Sequence, residues 1–236
     1  MTLLGAQTFT APTTVSLGTL SLGSGASLAG GAINVNGGTL RAVDNNTIGV
    51  SGSPVVTIGD NGSLSLQTGG INTLLLNTAT PASNVLNFSS SVASGFKVDL
   101  LGSTSDLVTI GSGLVNVGSA AVTINANALG QLTAGTRTIM TSANGGLNAG
   151  GGFVLDQTTG NFGGSQLSLT NLGTSLVLNV TAAPAAPSVL YFNGSQDNNF
   201  STFTGGNTNN SNFSTDAAGT VNALAAPEPR TPRHTQ

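Results

Sequence analysis

Short apolar segments interrupted every few residues by glycine or asparagine constrain the fold of this chain most strongly. Within each segment, apolar side chains stand at every second position, which is typical of a strand with one buried face. The intervening turn residues tolerate positive φ and would break a helix. We therefore expect an all-β chain. The clearest segments are Thr19-Leu20-Ser21-Leu22, Ile33-Asn34-Val35, Gly38-Thr39-Leu40 and Ser63-Leu64-Ser65-Leu66.

A Gly-Thr-Leu motif at 18–20 recurs at 38–40, and a Gly-Ser-Leu version follows, at a slightly larger spacing, at 62–64. A loose period of this kind predicts a solenoid whose coils differ in length. At about 20 residues a coil, the chain up to Val180 would form about nine coils and a rod of about 40–45 Å. Stacked coils place like residues next to each other, where small uncharged side chains pack and like charges repel.

Charge is scarce, since Asp, Glu, Lys and Arg make up 6% of the chain against roughly 25% in an ordinary soluble domain. A net charge of −3 with five Lys and Arg residues argues against a nucleic-acid partner. The absence of Cys excludes disulfides and thiolate metal sites. The first residues lack a basic, apolar signal sequence, and no long apolar run follows. We expect no membrane insertion by this chain itself, and an export signal or anchor outside it.

Changes in composition predict five segments. We expect a solenoid of β-strand repeats at 1–82, its continuation as a less repetitive block at 83–181, an Ala/Pro linker at 182–188, a further, truncated unit at 189–225, and a disordered tail at 226–236.

Three stretches carry a resemblance to a known family: the repeat-like segment 30–40, the block formed by 96–110, 134–141 and 145–147, and the segments 190–194 and 212–220. They resemble the passenger regions of bacterial autotransporter-associated β-strand repeat proteins. The resemblance implies a right-handed parallel β-helix at the outer surface of a Gram-negative-type cell. It also implies no catalytic residue. The signal peptide and the membrane barrel of that family are missing here.

Candidate catalytic groups are few. The only His, His234, lies in the Pro-rich tail, which argues against a Ser-His-Asp set. Asp99 with Asp106 is the best-spaced pair of carboxylates for sugar-bond cleavage, and Asp44 with Asp60 is another. The alternative is that Asp99 and Asp106 cap turns beside strands by accepting bonds from backbone amides. A site for acidic sugars would also need cations, and the body of the chain offers Arg41, Lys97 and Arg137.

Other motifs favour structure over chemistry. The amides of Asn36, Asn46 and Asn61 are candidates for stacked ladders or for ordinary turn positions. The glycines at 145–146 and 150–152 form no dinucleotide or phosphate-binding fingerprint, and Asp60-Asn61-Gly62 carries too few carboxylates for calcium. We expect no cofactor and no metal.

The expected function is that of a non-enzymatic structural stalk or display scaffold in a surface-exposed passenger. One alternative is an adhesin that binds glycans through hydroxyls and amides. Phe153 and Phe162 would be its stacking rings if exposed, but the core is their expected place. A second alternative is a polysaccharide lyase or hydrolase on a β-helix. Expected partners are a polysaccharide or another cell surface, together with end-to-end or edge self-association.

Overall fold

The computed structural model describes residues 1–49, 55–77, 83–89, 91, 94–156, 162 and 164–181, together with two short strands farther along. These residues form strands, bends and turns, and no helix. In chain order, the strands are β1 (Thr2–Leu3), β2 (Ala6–Gln7), β3 (Thr13–Val15), β4 (Thr19–Leu22), β5 (Ser27–Leu28), β6 (Ile33–Val35), β7 (Thr39–Ala42), β8 (Asn46–Ile48), β9 (Val56–Ile58), β10 (Ser63–Ser65), β11 (Thr73–Leu76), β12 (Asn84–Phe88), β13 (Ser94–Gly102), β14 (Thr104–Ser105), β15 (Leu107–Ile110), β16 (Leu114–Val117), β17 (Val122–Leu132), β18 (Gly135–Ser142), β19 (Phe153–Asp156), β20 (Gln166–Asn171), β21 (Ser175–Thr181), β22 (Tyr191–Phe192) and β23 (Phe213–Ser214).

Three sheets receive these strands in rotation. Sheet A has the order β1-β4-β7-β10-β13-β17-β19, with β14 beside β13; sheet B has the order β2-β5-β8-β11-β15-β18-β21-β20; and sheet C has the order β16-β12-β9-β6-β3. Neighbouring strands are parallel except in the pairs β13–β14, β18–β21 and β20–β21. Consecutive strands from β1 to β12 thus visit sheets A, B and C in turn. This all-β arrangement of mostly parallel sheets is compatible with a β-solenoid.

The repeated motifs occupy one position of successive coils. Thr19 pairs with Thr39, and Thr39 pairs with Ser63, so the spacing of the motif in the sequence is the length of a coil. Farther along the same sheet, Ser65 pairs with Lys97, Lys97 with Asn125 and Asn125 with Asp156, which are wider steps along the chain. Because the later coils are longer, the described part of the chain has seven strands along the path of sheet A, from β1 to β19, fewer than the about nine coils predicted. Six spacings of about 4.8 Å between these strands give a length of about 29 Å, against the predicted 40–45 Å.

The core is a continuous set of apolar ladders. Leu40, Leu64 and Phe96 stack in sheet A and are fully buried. Sheet C contributes Phe88, whose ring meets that of Phe153 edge-on at a centroid distance of 5.7 Å. Burial of each large apolar side chain contributes about 1.5–3 kcal/mol. The alternating pattern in the sequence therefore corresponds to side chains that point in turn into the core and away from it.

The end of sheet B departs from the parallel arrangement predicted throughout 83–181. Strands β20 and β21 form an antiparallel hairpin, and β21 pairs antiparallel with β18. Their connection is short: Leu172 N donates to Ser175 O, and Gly173 N donates to the Asn171 side chain. A tight turn can join only antiparallel neighbours, because a parallel neighbour needs a long crossover.

By its contacts the chain divides into two units, Met1–Ala183 and Pro184–Gln236. The division falls within the predicted Ala/Pro linker at 182–188. In the second unit, β22 and β23 pair antiparallel. The rest of the predicted further unit at 189–225, the linker itself after Thr181 and the predicted disordered tail at 226–236 lie outside the described residues.

The turn at Gly62 provides a test of the close stacking between coils. A Cβ at Gly62 would lie inside the contact distance of the Val35 carbonyl oxygen and 3.0 Å from Gly59 O, whereas a Cβ at Gly70 would meet nothing within 4 Å. We expect Gly62→Ala to lower the free energy of unfolding by about 1–3 kcal/mol. The matched variant Gly70→Ala should leave it unchanged or raise it by about 0.5 kcal/mol. Urea denaturation of both variants measures the difference, and equal effects would contradict the close contact.

Candidate functional site

The best-spaced aspartates of the sequence, Asp99 and Asp106, do lie together. Asp99 is in β13, and Asp106 immediately precedes β15. Asp106 N donates to Asp99 O at 2.9 Å, and Asp99 N donates to Asp106 Oδ2 at 2.6 Å. Both residues are fully buried, with 0% exposure. This pair of carboxylates is therefore buried at the corner between sheets A and B.

All four carboxylate oxygens of the pair accept hydrogen bonds from the protein. Thr68 N and Gly69 N both donate to Asp99 Oδ2 at 2.9 Å, and Asn127 Nδ2 donates to Asp99 Oδ1 at 2.7 Å. Asn72 N donates to Asp106 Oδ1 at 2.6 Å, and Asp99 N occupies Asp106 Oδ2. This arrangement satisfies the backbone of the turn before β11, in the manner expected of a turn-capping aspartate.

Asn72, which the sequence analysis did not single out, is the centre of the same network. Its Nδ2 donates to Leu66 O, Thr68 Oγ1 and Gly70 O at 2.6–2.9 Å. Its Oδ1 accepts a 2.7 Å bond from Asp44 N. Asp44, Asn72 and Asp106 thus form a row, which we call the corner row, just before β8, β11 and β15. An Asp or Asn preceding three apolar strands of one sheet is the sequence signal that could have revealed it.

The electrostatics of the corner row depend on burial. The pKa of the Asp106 carboxyl is raised to about 7. Burial is the largest cause and the charge of Asp99 also raises the pKa, whereas the N–H bonds from Asp99 and Asn72 lower it because they favour the carboxylate. A carboxyl with this pKa changes charge near neutral pH. It lies against backbone, not against a cavity open to a substrate.

The second pair of aspartates, Asp44 and Asp60, is not brought together. Asp44 lies before β8 at the corner between sheets A and B, and Asp60 lies after β9 at the corner between sheets C and A. Both are exposed. Asp60 Oδ1 accepts a 2.8 Å bond from Ser91 N. This separation argues against a shared role, and the bond from Ser91 N shows Asp60 as a turn cap.

The asparagines predicted as ladder candidates lie at separate places. Asn46 is buried and donates to Gly23 O and Ala26 O of the preceding coil. Asn36 and Asn61 are exposed turn residues. A side-chain bond between stacked asparagines occurs instead in sheet C, where Asn116 Nδ2 donates to Asn87 Oδ1 at 2.6 Å. The chemistry of the prediction is present, but at positions that the sequence did not indicate.

The structure also shows where the aromatic and basic candidate residues of the first unit lie. Phe153 and Phe162 are partly buried and pack against the core. Arg137 is buried, where its Nη2 donates to Thr133 O at 2.6 Å and to Gly102 O, and burial lowers the pKa of its guanidinium. Arg41 and Lys97 lie on the outer face of sheet A. His234 lies outside the described residues.

A cleft on the outer face of sheet A is a second candidate binding site. It has a volume of about 320 Å³ and is lined by Gln67, Lys97, Asn125, Ala126 and Asn127. Gln67 Nε2 reaches across two coils, donating to Val98 O at 3.2 Å and to Asn125 O at 3.0 Å. The cleft therefore combines one ammonium group with three amides.

Within the described ranges, no group of three or more His, Cys, Asp and Glu side chains is placed to hold a metal ion. The part of the chain that the structure describes also contains no helix that is long and apolar enough to cross a bilayer.

Comparison with family models, with curated proteins and with solved structures gives no match for this chain. The site is therefore interpreted from its own geometry.

Substitution of Asp99 separates a structural role from a catalytic one. We expect Asp99→Ala to lower the free energy of unfolding by about 2–4 kcal/mol, because Thr68 N and Gly69 N lose their buried acceptor. Asp99→Asn keeps an acceptor oxygen for these amides, and a rotated Asn127 amide can accept from the new NH₂ group, so the loss should be below about 1.5 kcal/mol. Thermal unfolding measures both. Asp60→Ala, at an exposed turn, is the control and should cost less than about 1 kcal/mol; equal losses in the Ala and Asn variants of Asp99 would contradict the assignment.

The raised pKa of Asp106 gives a pH dependence of defined sign. Between the unfolded pKa of 3.8 and the folded pKa of about 7, the folded state binds more protons than the unfolded state. Stability from this group is therefore fully present below about pH 4 and is lost as the pH rises towards 7, by on the order of a few kcal/mol.

Urea denaturation of the wild type and of Asp106→Asn between pH 4 and 8 tests this dependence, since the variant lacks the titrating group. We expect the decline in stability to be present in the wild type and absent in the variant. Parallel pH profiles for the two proteins would contradict the raised pKa.

Proposed function

We propose that this chain is a non-enzymatic stalk or display scaffold, built as a right-handed parallel β-helix and belonging to a surface-exposed, autotransporter-like passenger. The observation that carries the proposal is the rotation of strands through sheets A, B and C, with equivalent positions in register. Each added coil lengthens such a structure without changing its cross-section. A modular length is the property that a spacer needs.

The aspartate geometry supports the non-enzymatic part of the proposal. Asp99 and Asp106 are buried, and their oxygens accept bonds from Thr68, Gly69, Asn72 and Asn127. A general acid or base must reach the bond that it cleaves. Release of reducing or unsaturated sugar ends from polygalacturonate by the full chain, lost in Asp99→Asn, would favour the lyase or hydrolase alternative instead.

The proposed location and partners rest on the resemblance of the repeats and of the block that follows them. The proposal places the chain at the outer surface of a Gram-negative-type cell, with export and anchoring supplied elsewhere, and with a polysaccharide or another cell surface as its partner. The scarcity of charge, 6% of residues, suits a structure whose like positions stack at about 4.8 Å.

Deletion of one whole coil tests the modular stalk. Removal of residues 19–38 takes one strand from each sheet (β4, β5 and β6) and joins Gly18 to Thr39, which restores the Gly-Thr-Leu motif. We expect cooperative unfolding and a β-type circular dichroism spectrum to persist, with the midpoint lowered by only a few degrees. On cells that display the chain between an export signal and a membrane anchor, an N-terminal epitope should remain accessible to antibody.

Deletion of residues 19–28 is the matched control. It removes β4 and β5 but keeps β6, so the following strands no longer match the rotation of the sheets. We expect loss of the cooperative transition and of surface display. If the out-of-phase deletion were tolerated as well as the whole coil, or if the whole-coil deletion unfolded the chain, the scaffold proposal would be wrong.

A further inference from the structure

The outer face of sheet A carries a row of polar side chains at one position of successive coils. By strand register, this outer row consists of Ser21, Arg41, Ser65, Lys97, Asn125 and Asp156. Of the basic side chains in the first unit, Arg41 and Lys97 therefore lie in a single row, and only Arg137 lies elsewhere. Ser65 separates the two, so their strands are two spacings apart, about 9.6 Å.

Neither cation of the outer row forms an ion pair with a residue that the structure describes. Asp156 Oδ2 accepts a 2.8 Å bond from Asn125 Nδ2. The Asp99 carboxylate accepts bonds from Thr68 N, Gly69 N and Asn127 Nδ2. Lys97 makes no hydrogen bond or ion pair with a described residue, and Arg41 Nε is buried without a partner in the described part of the chain. Two positive charges are thus available on one surface.

The cleft described above adjoins this row, since Lys97 and Asn125 belong to both. The amides of Gln67 and Asn127 use their NH₂ groups within the protein, in bonds to Val98 O and Asn125 O and to Asp99 Oδ1. In the described part of the chain, their oxygens accept no bond. An amide oxygen held in this way is an acceptor for a hydroxyl group.

We propose that the cleft and the outer row bind an acidic polysaccharide whose sugars carry carboxylates. Lys97 pairs with the carboxylate of the sugar in the cleft, and Gln67 and Asn127 accept bonds from its hydroxyls. Arg41 pairs with a second carboxylate farther along the polymer, which runs across the strands. This site does not depend on the chain serving as a stalk, because it uses side chains of one face only.

Recognition of hydroxyls distinguishes this ligand from other anions. A nucleic acid would require a longer line of cations for its closely spaced phosphates, whereas the row provides two. An acidic peptide offers carboxylates but no set of ring hydroxyls for the amide oxygens. Binding through two charge-assisted contacts and a small cleft should be weak, with a Kd on the order of 0.1–1 mM.

Titration of the full chain with a short oligogalacturonate, followed by calorimetry, tests the proposal. We expect the acid form to bind and its methyl-esterified form, which keeps the hydroxyls but lacks the charge, to bind about tenfold more weakly. Lys97→Gln should raise the Kd by about tenfold, and Lys97→Arg should restore it. Arg41→Gln should weaken only oligomers long enough to reach the second cation.

Arg230→Gln is the matched control, because it changes the net charge equally at a position outside the described residues. It should leave the Kd unchanged, and circular dichroism should show that each variant keeps its β spectrum. Equal binding of the acid and the ester, or equal losses in Lys97→Gln and Arg230→Gln, would overturn the proposal. Displacement of the sugar by single-stranded DNA at equal charge concentration would do so as well, since it would indicate unspecific attraction of anions. If Lys97→Gln failed to fold, the ester and Lys97→Arg comparisons would still decide.

Discussion

Parallel, in-register pairing of strands about 4.8 Å apart is the constraint on which this structure depends. It places each side chain next to the same position of two other coils. Inside, Leu40, Leu64 and Phe96 form an unbroken apolar ladder. Outside, like charges on adjacent coils would repel by about 0.9 kcal/mol a pair even in water, and by more near a protein surface. A chain that repeats a coil can therefore repeat apolar, hydroxyl and amide side chains far more easily than charged ones.

The same pairing explains why the carboxylates are buried. A coil turns a corner between sheets without a tight hairpin, so backbone N–H groups at the corner need other acceptors. The corner row supplies them from the adjacent coil: Asn72 accepts from Asp44 N, and Asp106 accepts from Asn72 N. Burial of Asp99 and Asp106 costs free energy, and the bonds from several donors offset that cost. Proximity of these two buried carboxylates is here a product of the fold, in which each of their oxygens accepts a bond from the protein.

The sequence predicts the features that depend on local pattern, but it does not predict contacts that depend on the length of a coil. Alternation and the Gly-Thr-Leu spacing predicted strands and the stacking of Thr19, Thr39 and Ser63, because the early coils are short and nearly regular. The bond between Asn87 and Asn116 was missed because it requires the length of a later, irregular coil. Asp99 and Asp106 were paired correctly because they are close in the sequence. Their burial was not foreseen, since the covering turn at 67–72 comes from another coil.

Like charges on the outer face of stacked parallel strands repel unless they are separated, and this separation has a consequence for binding. With Ser65 between them, Arg41 and Lys97 stand about 9.6 Å apart, where their repulsion in water falls to about 0.4 kcal/mol. The neutral coil that makes the two cations tolerable also keeps them from sharing a carboxylate, and Asp156 pairs with Asn125 instead. This row therefore presents two separated cations, without ion-pair partners among the described residues, to the proposed ligand that extends across the coils. A polymer with regularly spaced anions matches that arrangement better than a small molecule, because only a polymer can reach both cations at once.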